Sequence, residues 1–318
     1  LFLRTTEFLW QEGHCAHATH EESQERVQWG IEMYAKIYKD FLALPGVIGT
    51  KSESEKFAGG DATLTYEILM PEGKVLQGCT SHDLGQNFSK AQNIKFQDKQ
   101  GQNQFVWQNS WGFSTRSIGA MLMAHGDDAG LTLPPKVAPT QAVIIPVTQD
   151  EEVLAAAKKL SGELGDVRVK VDTREGESLG FKINKWELRG VPLRIEVGKQ
   201  EMASGKFRMV RRDTGEVVEG EVKGILDQIQ DDMLAKQEKF LAENTHEVAD
   251  YEQFKETMEN KRGFIKAFWC ENAECETRIK EETKASTRCL PVDAKEESGK
   301  CVYCGKVAKY KWLFALAY

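Results

Sequence analysis

Apolar residues recur every three or four positions in four stretches of the chain, which is the spacing of a helix with one buried face. These stretches are residues 21–42, 153–164, 221–243 and 245–260. Thr19 and Glu22 fit a capping box, in which a hydroxyl and a carboxylate satisfy free amides at the start of a helix. The pattern therefore predicts four amphipathic helices, and it places the start of the first one just after Thr19.

Short segments rich in β-branched and aromatic residues predict strands in two groups. The first group, at 62–70, 74–77 and 105–107, is separated by turns rich in glycine. The second group, at 142–147, 167–171 and 191–197, has a predicted helix between its first two strands. We predict an antiparallel sheet with a few helices for the first group, and an α/β unit with some parallel pairing for the second.

Length, composition and charge narrow the class of protein. A chain of 318 residues is long for one domain, and its 41% hydrophobic and 29% charged residues are typical of folded globular proteins. No apolar run approaches the roughly 18 residues of a membrane span, and the first residues do not resemble a signal peptide. The net charge of −7 means that a nucleic-acid partner needs a local basic surface. We expect a cytoplasmic protein of several domains without a membrane partner.

The cysteines indicate a metal site near the end of the chain. Five of the seven Cys fall in the last fifty residues, and an odd number argues against a disulfide framework. Cys270 and Cys275 form one pair and Cys301 and Cys304 another, which is a spacing that places four thiolates around a structural Zn²⁺. Free buried thiols are the alternative, and Cys289 is predicted to be a core residue. A metal with four Cys ligands has no open position for catalysis.

His14, His17 and His20 are a weaker candidate for a metal site. The steps of three between them fit one helix face loosely, but the predicted helix begins only after Thr19. We favour a polar loop in which one or two of these imidazoles form hydrogen bonds.

Three segments combine polar and aromatic residues that are costly to bury without a function. They are residues 4–14, 77–87 and 108–116. The chain has neither a P-loop nor a glycine-rich dinucleotide motif, so a bound triphosphate would need arginine side chains as bidentate clamps. Arg4 and Arg116 are the candidates. Ordinary polarity of edge strands is the alternative for any one segment.

These segments resemble parts of a known enzyme family. The quoted stretches are FLRTTEFLWQEGHCAHAT, LQGCTSHDLGQNFSKAQNIKFQD and NSWGFSTRSIGAMLMAHGDDAGLTLPPKVAP. They resemble the second half of motif 2, the proline-pocket segment and motif 3 of prolyl-tRNA synthetase, a class II aminoacyl-tRNA synthetase, of the type found in archaea and eukaryotes. GFKINKWELRGVPLRIEVG resembles its anticodon-binding domain, and CENAECETRIKEE with GKCVYCGKVAKYKWLFALAY resembles its zinc-bearing C-terminal domain.

The resemblance runs along the whole chain and implies an α/β and α+β multidomain fold. Residues 1–137 would be an incomplete class II catalytic domain with an antiparallel sheet, residues 138–240 an α/β anticodon-binding domain, and residues 241–318 a small zinc-bearing α+β domain. The chain begins inside motif 2, so motif 1, which forms much of the class II dimer interface, has no counterpart. A homodimer is implied for the complete enzyme. The segment between the motif 2 and motif 3 matches is too short for the editing insertion of bacterial-type relatives.

The resemblance also implies a reaction and residue roles. The family activates L-proline with ATP and Mg²⁺ to prolyl-adenylate and transfers the prolyl group to tRNA(Pro). The residues matching its ATP site are Arg4, Thr5, Gln77, Thr80, Ser114 and Arg116, of which Arg4 and Arg116 would be catalytic and Gln77 would lie near Mg²⁺. Those matching its proline pocket are Phe8, Trp10, Glu12, His82 and the Trp111-Gly112 turn. Those proposed for tRNA binding are Lys182, Lys185, Trp186 and Glu187.

Two alternatives remain open. One is a catalytically dead tRNA-binding fragment of such an enzyme. The other is a zinc-ribbon nucleic-acid-binding protein, which explains only the last fifty residues. Residues 168–223 contain thirteen Lys and Arg against ten Asp and Glu, a modest basic excess where the resemblance places RNA. Trp186 is a base-stacking candidate, and a core position is its alternative.

Overall fold

The computed structural model describes Leu3 and residues 5–318. The helices of this described chain are α1 (His20–Lys36), α2 (Asn87–Gln92), α3 (Arg116–His125), α4 (Glu151–Glu163), α5 (Leu179–Leu188), α6 (Lys199–Ser204), α7 (Val222–Glu243), α8 (Tyr251–Asn260) and α9 (Ala273–Thr283). A π-helical segment, Ile37–Phe41, continues α1. None of these helices combines the length and the apolar character that crossing a bilayer requires.

The strands, numbered in chain order over the same residues, are β1 (Trp10–His17), β2 (Val47–Thr50), β3 (Ala62–Leu69), β4 (Lys74–Gly85), β5 (Lys95–Gln97), β6 (Asn103–Phe105), β7 (Trp107–Ser114), β8 (Ala142–Pro146), β9 (Val169–Val171), β10 (Leu193–Val197), β11 (Arg208–Arg211), β12 (Val217–Val218), β13 (Thr245–Glu247), β14 (Phe264–Trp269), β15 (Ala285–Pro291), β16 (Gly299–Lys300), β17 (Val307–Ala308) and β18 (Tyr310–Ala317). They belong to two compact units. Unit 1 holds the described residues up to Lys39 together with Leu44–Ala120 and Glu238–Tyr318, and unit 2 holds Asp40–Ala43 and Met121–Gln237.

Unit 1 is built on one nine-stranded sheet with the order β1-β7-β4-β3-β2-β15-β18-β14-β13. All neighbours in this order are antiparallel except β13 and β14. The predicted antiparallel sheet is thus present, and it continues into the last fifty residues because Leu290 and Pro291 of β15 pair with β2. The boundaries predicted at 137/138 and 240/241 stay a prediction.

Helix α1 covers one face of this sheet. The hydroxyl of Thr19 accepts the amide proton of Glu22 at 3.2 Å, which confirms the predicted helix start. Val27, Ile31 and Tyr34 on the inner side of α1 are buried, and each such side chain contributes roughly 1.5–3 kcal/mol to folding. In the π-helical segment, the Tyr38 hydroxyl donates to the Gly78 carbonyl of β4 at 2.9 Å. Helix α1 therefore covers one face of this part of the sheet, and a ligand would have to approach from the opposite face.

Unit 2 contains the α/β unit predicted from the second group of strands. Its sheet has the order β12-β11-β10-β8-β9, and β8 is parallel to both of its neighbours. Ala142 and Ile144 of β8 pack in one cluster with residues of α4, whereas Val143 and Ile145 pack in another with Trp186 of α5. Successive side chains of a strand point to opposite faces, so the fully buried β8 lies between the two helices.

One predicted helix is partly wrong. Residues 245–260 were expected to form a single helix, but Thr245–Glu247 form β13 and the helix α8 begins only at Tyr251. The backbone of β13 pairs in parallel with β14, and the carboxylate of Asp250 accepts the amide proton of Gln253 at 2.9 Å. Strand pairing and an aspartate N-cap thus override the apolar spacing in this segment.

Candidate active site

The face of the unit 1 sheet opposite α1 carries a cavity of about 720 Å³ at β1, β4 and β7. Register places Glu12 of β1 and Thr80 of β4 on either side of Gly112 in β7, so three strands supply side chains to one surface. The lining residues are Leu3, Thr5, Thr6, Phe8, Trp10, Gln77, Gly78, Cys79, Thr80, Gly112, Phe113, Ser114 and Arg116. A cavity of this size accommodates a small-molecule ligand.

The residues predicted to bind ATP come together in this cavity, apart from Arg4, which lies outside the described residues. Those that line it are Thr5, Gln77, Thr80, Ser114 and Arg116. Arg116 is the first residue of α3, and its Nη1 donates to the Gln77 carbonyl at 3.1 Å, while its amide donates to the Ser114 hydroxyl at 3.3 Å. These bonds hold a guanidinium at the cavity, where it suits an anionic ligand.

Two aromatic residues predicted for the proline pocket also line the cavity. The rings of Phe8 and Trp10 lie edge to face at 6.1 Å between centroids, and about half of each side chain is exposed. A Cβ atom at Gly112 would lie 3.5 Å from the Trp10 ring, so the absence of a side chain there leaves room beside the indole. The arrangement provides an open aromatic wall next to the polar residues of β4 and β7.

His82 lies on β4, two residues beyond Thr80, and its ring is held on both sides. Its Nδ1 is 2.9 Å from the Thr63 hydroxyl and its Nε2 is 2.9 Å from the Thr80 hydroxyl. Burial lowers the pKa of His82 to about 4, although the charge of Glu12 acts in the opposite direction. The imidazole is therefore neutral near pH 7.

The sequence analysis did not single out Phe57, which contacts His82. Its ring lies 4.8 Å from the His82 ring and 6.3 Å from that of Phe88, and it is half exposed. The segment Lys56–Gly60 reads KFAGG, and a large apolar residue in a glycine-rich loop was the available indication.

Trp111 does not contribute its ring to this cavity, which corrects the expectation for the Trp111-Gly112 turn. Both residues lie within β7 rather than in a turn, and the Trp111 ring lies on the α1 side of the sheet, edge to face with Trp29 at 5.9 Å. A Cβ atom at Gly13 would come within 2.2 Å of this ring. Alternation along β7 explains the placement, because adjacent residues face opposite sides.

Two of the residues proposed to bind tRNA are buried in unit 2. Lys182 is 1% exposed, and its Nζ donates to the Asp172 carbonyl at 3.4 Å. The Trp186 indole donates to the Asp172 carboxylate at 2.7 Å. Hydrogen bonds from Arg174 and then Trp186 hold the pKa of that carboxyl well below its usual range, despite its burial. The expectation that Trp186 stacks on a base is therefore corrected, because its ring packs in the core.

Lys185 and Glu187 of the same helix remain at the surface of unit 2. Each is half-buried, and Glu187 accepts a hydrogen bond from the Arg194 guanidinium. The structure thus brings only part of the predicted tRNA-binding set to an accessible position.

The four cysteines predicted to bind zinc meet in one cluster of unit 1. The sulfur atoms of Cys270, Cys275, Cys301 and Cys304 all lie within 4.8 Å of one another. Cys270 Sγ is 3.7 Å from Cys275 Sγ and 3.6 Å from Cys304 Sγ. Thiolates placed tetrahedrally at about 2.3 Å from Zn²⁺ lie about 3.8 Å apart, so the donor set fits this ion. Cys289 is fully buried in another cluster, as predicted for a core residue.

The three early histidines do not form a loop. His14 and His17 belong to β1, and His20 is the first residue of α1. His14 contacts Glu12 at 3.2 Å, while His20 lies 2.7 Å from the Asp83 carboxylate and stacks on Trp107 at 4.3 Å between centroids. The expected hydrogen-bonding role is confirmed for His20. The expected loop is replaced by a strand, because the pairing of β1 with β7 extends to His17.

Three family models match the chain in order. Residues 2–125 match the tRNA synthetase class II core domain (G, H, P, S and T), residues 141–232 the anticodon binding domain, and residues 251–318 the C-terminal domain of prolyl-tRNA synthetase. Their order is that of the sequence segments quoted above.

Curated relatives are similar over the whole length of the chain. It is 47% identical to a proline–tRNA ligase of Flavobacterium johnsoniae and 46% identical to proline–tRNA ligase 2 of Bacillus cereus. Both alignments include 100% of this chain and cover 67% and 68% of the respective relatives. A proline–tRNA ligase of Chlorobium phaeovibrioides is 47% identical, with 70% of its length covered. The chain thus spans about two thirds of the length of these relatives.

Proposed function

The chain belongs to the proline–tRNA ligase family, and from this premise we propose that it activates L-proline with ATP and transfers the prolyl group to tRNA(Pro). The observation that carries the proposal is the 720 Å³ cavity, where the guanidinium of Arg116 and the aromatic pair Phe8 and Trp10 line one space. An anionic nucleotide and a compact apolar amino acid require these two kinds of surface side by side.

The aromatic side of the cavity suits proline. Its ring is compact and apolar and would pack on Phe8 and Trp10, and its secondary ammonium needs an acceptor. Glu12, which pairs with Gly112 across β1 and β7, is the candidate acceptor. Both ring nitrogens of His82 already contact threonine hydroxyls, so His82 would border the pocket without accepting from the ammonium. Gly112 leaves space beside Trp10 for this ring.

The polar side of the cavity suits ATP. Arg116 would bind the phosphates together with Arg4, and hydroxyl groups for them would come from Thr5, Thr80 and Ser114. Bound Mg²⁺, near Gln77, would neutralise phosphate charge. In the reaction the proline carboxylate attacks the α-phosphorus of ATP and pyrophosphate leaves. A ribose hydroxyl of the tRNA then attacks the carbonyl of the prolyl-adenylate, and AMP leaves as the prolyl ester forms. The protein's own residues act mainly by positioning and by charge neutralisation.

Cys270, Cys275, Cys301 and Cys304 would hold a structural Zn²⁺. Burial raises the pKa of Cys270 and of Cys275. Burial also opposes the ionisation of Cys304, but the amide of Lys306 and the neighbouring sulfurs lower its pKa to about 7. A bound cation would favour the thiolate form of all four ligands. With four protein sulfurs around it, the ion would stabilise the fold of this segment and have no open position for substrate.

The family type, assembly and location complete the proposal. The short connection between the segments at residues 4–14 and 108–116, together with the cysteine cluster, supports the archaeal/eukaryotic type in domain architecture. The relatives compared above come from bacteria, so the type refers to architecture and not to source. We further propose a homodimer for the complete enzyme and a cytoplasmic location, and we assign tRNA binding to unit 2, with Lys185 and Glu187 among its contacts.

Aminoacylation tests this function. Radiolabelled proline should become attached to tRNA(Pro), and no label should appear on a tRNA with a different anticodon and acceptor stem. Attachment of alanine in place of proline would contradict the assignment. Binding of tRNA(Pro) without any charging would favour a non-catalytic tRNA-binding protein.

A further inference from the structure

Two threonine hydroxyls hold the ring of His82 from opposite sides. Thr63 Oγ1 lies 2.9 Å from Nδ1, and Thr80 Oγ1 lies 2.9 Å from Nε2. The Thr63 side chain is buried on β3, away from the cavity lining, whereas Thr80 lines the cavity. The hydrogen-bonded series Thr63–His82–Thr80 therefore connects the interior of the sheet to the cavity.

The direction of the hydrogen bonds in this series follows from the proton on Thr63. The backbone amide of Phe57 donates to Thr63 Oγ1 at 2.9 Å, so this oxygen already acts as an acceptor. Its own proton is buried and needs an acceptor, since an unsatisfied buried donor costs free energy. Among the contacts of the described residues, His82 Nδ1 is the acceptor available to it.

The direction of the first hydrogen bond determines that of the bond between His82 and Thr80. A neutral ring has one nitrogen that accepts and one that donates, and burial keeps the pKa of His82 near 4. If Nδ1 accepts from Thr63, the proton is on Nε2 and is donated to Thr80 Oγ1. The hydroxyl proton of Thr80 is then directed away from His82 and is available to the cavity.

We propose that Thr63 is a positioning residue that selects the Nε2–H tautomer of His82 and so makes the Thr80 hydroxyl a hydrogen-bond donor into the cavity. Such a donor suits an anionic oxygen of the ligand. Under the proposed function, on which this part rests, that oxygen belongs to the carboxylate of proline or to a phosphate of ATP.

The opposite direction would have a different consequence for binding. If Thr80 donated to Nε2, then Nδ1–H would donate to Thr63, and the buried Thr63 proton would lose its acceptor. Thr80 would then present lone pairs to the cavity and would repel an anionic oxygen. The tautomer of His82 therefore decides between the two arrangements.

Nitrogen NMR of the unliganded protein tests the tautomer. With ¹⁵N-labelled histidine, and with His82→Gln to assign the resonances, His82 should show an acceptor-type Nδ1 and a protonated Nε2. Thr63→Val removes the donor at nearly constant volume and should abolish this preference, and Thr63→Ser should retain it. Thr65→Val is the matched control, because Thr65 lies on the same strand but donates to Glu67.

A protonated Nδ1 in the unmodified protein would overturn the proposal, and so would an unchanged tautomer in folded Thr63→Val. If Thr63→Val does not fold, the test rests on the unmodified protein and Thr63→Ser, which should both have the proton of His82 on Nε2. Loss of the tautomer in Thr65→Val as well would assign the effect to damage of β3 rather than to Thr63.

Calorimetry of the Thr80→Val variant tests the donor to the ligand. Losing a hydrogen bond to a charged group should weaken binding about tenfold to hundredfold. If proline supplies the oxygen, its affinity should fall while that of L-prolinol, which lacks the carboxylate, changes little; if ATP supplies it, the affinity for ATP should fall instead. Unchanged affinity for both proline and ATP would overturn the donor role. An unmodified protein with the expected tautomer that binds neither ligand would contradict the proposed function but not the role of Thr63.

Discussion

Arg288 donates two hydrogen bonds to one carboxylate oxygen of Glu67, from Nε at 2.9 Å and from Nη2 at 2.6 Å, although 221 residues separate them in the chain. Lys51 Nζ lies 2.8 Å from the other carboxylate oxygen. All three side chains are buried. Burial opposes the ionisation of Glu67, but Lys51 and Arg288 together hold its pKa below the usual value. The group joins β3 to β15 and to Lys51, the residue that follows β2, within unit 1.

Replacing Arg288 by methionine should destabilise unit 1. The variant leaves the buried Glu67 carboxylate with one cation instead of two, and breaking a buried ion pair in this way costs roughly 3–5 kcal/mol. Urea denaturation followed by tryptophan fluorescence measures the free energy of unfolding, and Arg278→Met, at an exposed position of α9, is the control. Equal stability of the two variants would show that the pairing with Arg288 contributes little.

Cys301→Ser should remove zinc and loosen the C-terminal part of unit 1 first. Three sulfurs bind Zn²⁺ less tightly than four, and the Ser hydroxyl is a poor replacement for a thiolate. Metal analysis should give close to one Zn²⁺ per chain for the unmodified protein and much less for the variant, with a lower melting temperature. Cys15→Ser, outside the cluster, should retain the metal. Unchanged metal content and melting in Cys301→Ser would exclude a zinc site of these four residues.

His125 should make unit 2 sensitive to acid. Burial lowers its pKa to about 4, with a smaller contribution from Lys236, although its Nε2 lies 2.8 Å from the Leu42 carbonyl, which opposes the shift. Between the ordinary pKa of 6.5 and pH 4, the unfolded chain binds a proton that the folded chain does not. The free energy of unfolding therefore falls as the pH is lowered through this window, by up to about 3 kcal/mol from this group.

The His125→Gln variant separates this effect from other acid-sensitive groups. Glutamine keeps an N–H donor for Leu42 but does not titrate, so the pH dependence of its unfolding free energy should be flatter. Urea denaturation of both proteins at pH 7, 5.5 and 4.5 gives the comparison. Parallel curves for the two proteins would mean that His125 titrates normally in the folded state.

Substitutions in α5 should distinguish residues that stabilise the core of unit 2 from residues that bind tRNA. Trp186→Ala should lower the stability of unit 2 by roughly 3–5 kcal/mol, because it removes a large buried side chain. Lys185→Ala should weaken tRNA(Pro) binding severalfold at low salt with little change in stability. Filter binding and urea denaturation measure both quantities. A Trp186→Ala protein of normal stability but weak tRNA binding would return Trp186 to the RNA-binding surface.

Arg116→Ala should abolish proline activation while the fold is kept. The guanidinium lines the cavity and is the described arginine that would bind the ATP phosphates, so its loss should reduce ATP–pyrophosphate exchange by about a hundredfold or more. Arg116→Lys keeps the charge without the planar fork and should retain part of the activity. Arg278→Ala is the control for a charge lost elsewhere. Normal exchange in Arg116→Ala would remove this residue from the site.

Features with a local origin could be predicted from the sequence. The spacing of apolar residues and the Thr19 cap predicted α1, because both act within a few residues of the chain. The two cysteine pairs predicted the cluster, because a short pair already limits where its sulfurs can lie. Arg116 and Gln77 were predicted to share a ligand because their segments resemble motif 3 and the proline-pocket segment of the family, and both residues line the cavity.

Features that depend on distant parts of the chain could not be predicted. Trp111 lies in a segment rich in site residues, but the position of α1 decides which face of β7 its ring occupies. The sequence made Trp186 a candidate for base stacking, because nothing near it in the chain indicates that Asp172 accepts the hydrogen bond of its indole in the core. The pairing of Glu67 with Arg288 has no local pattern, and Phe57 reaches His82 only through the fold of β3 and β4.

ATP–pyrophosphate exchange measured with proline, alanine and cysteine tests the central claim most directly. The account predicts exchange that depends on proline, because the cavity offers an aromatic wall for its ring beside the arginine that binds phosphate. Exchange that is equally fast with alanine or cysteine, or no exchange with any of the three in a folded protein that binds tRNA(Pro), would contradict it.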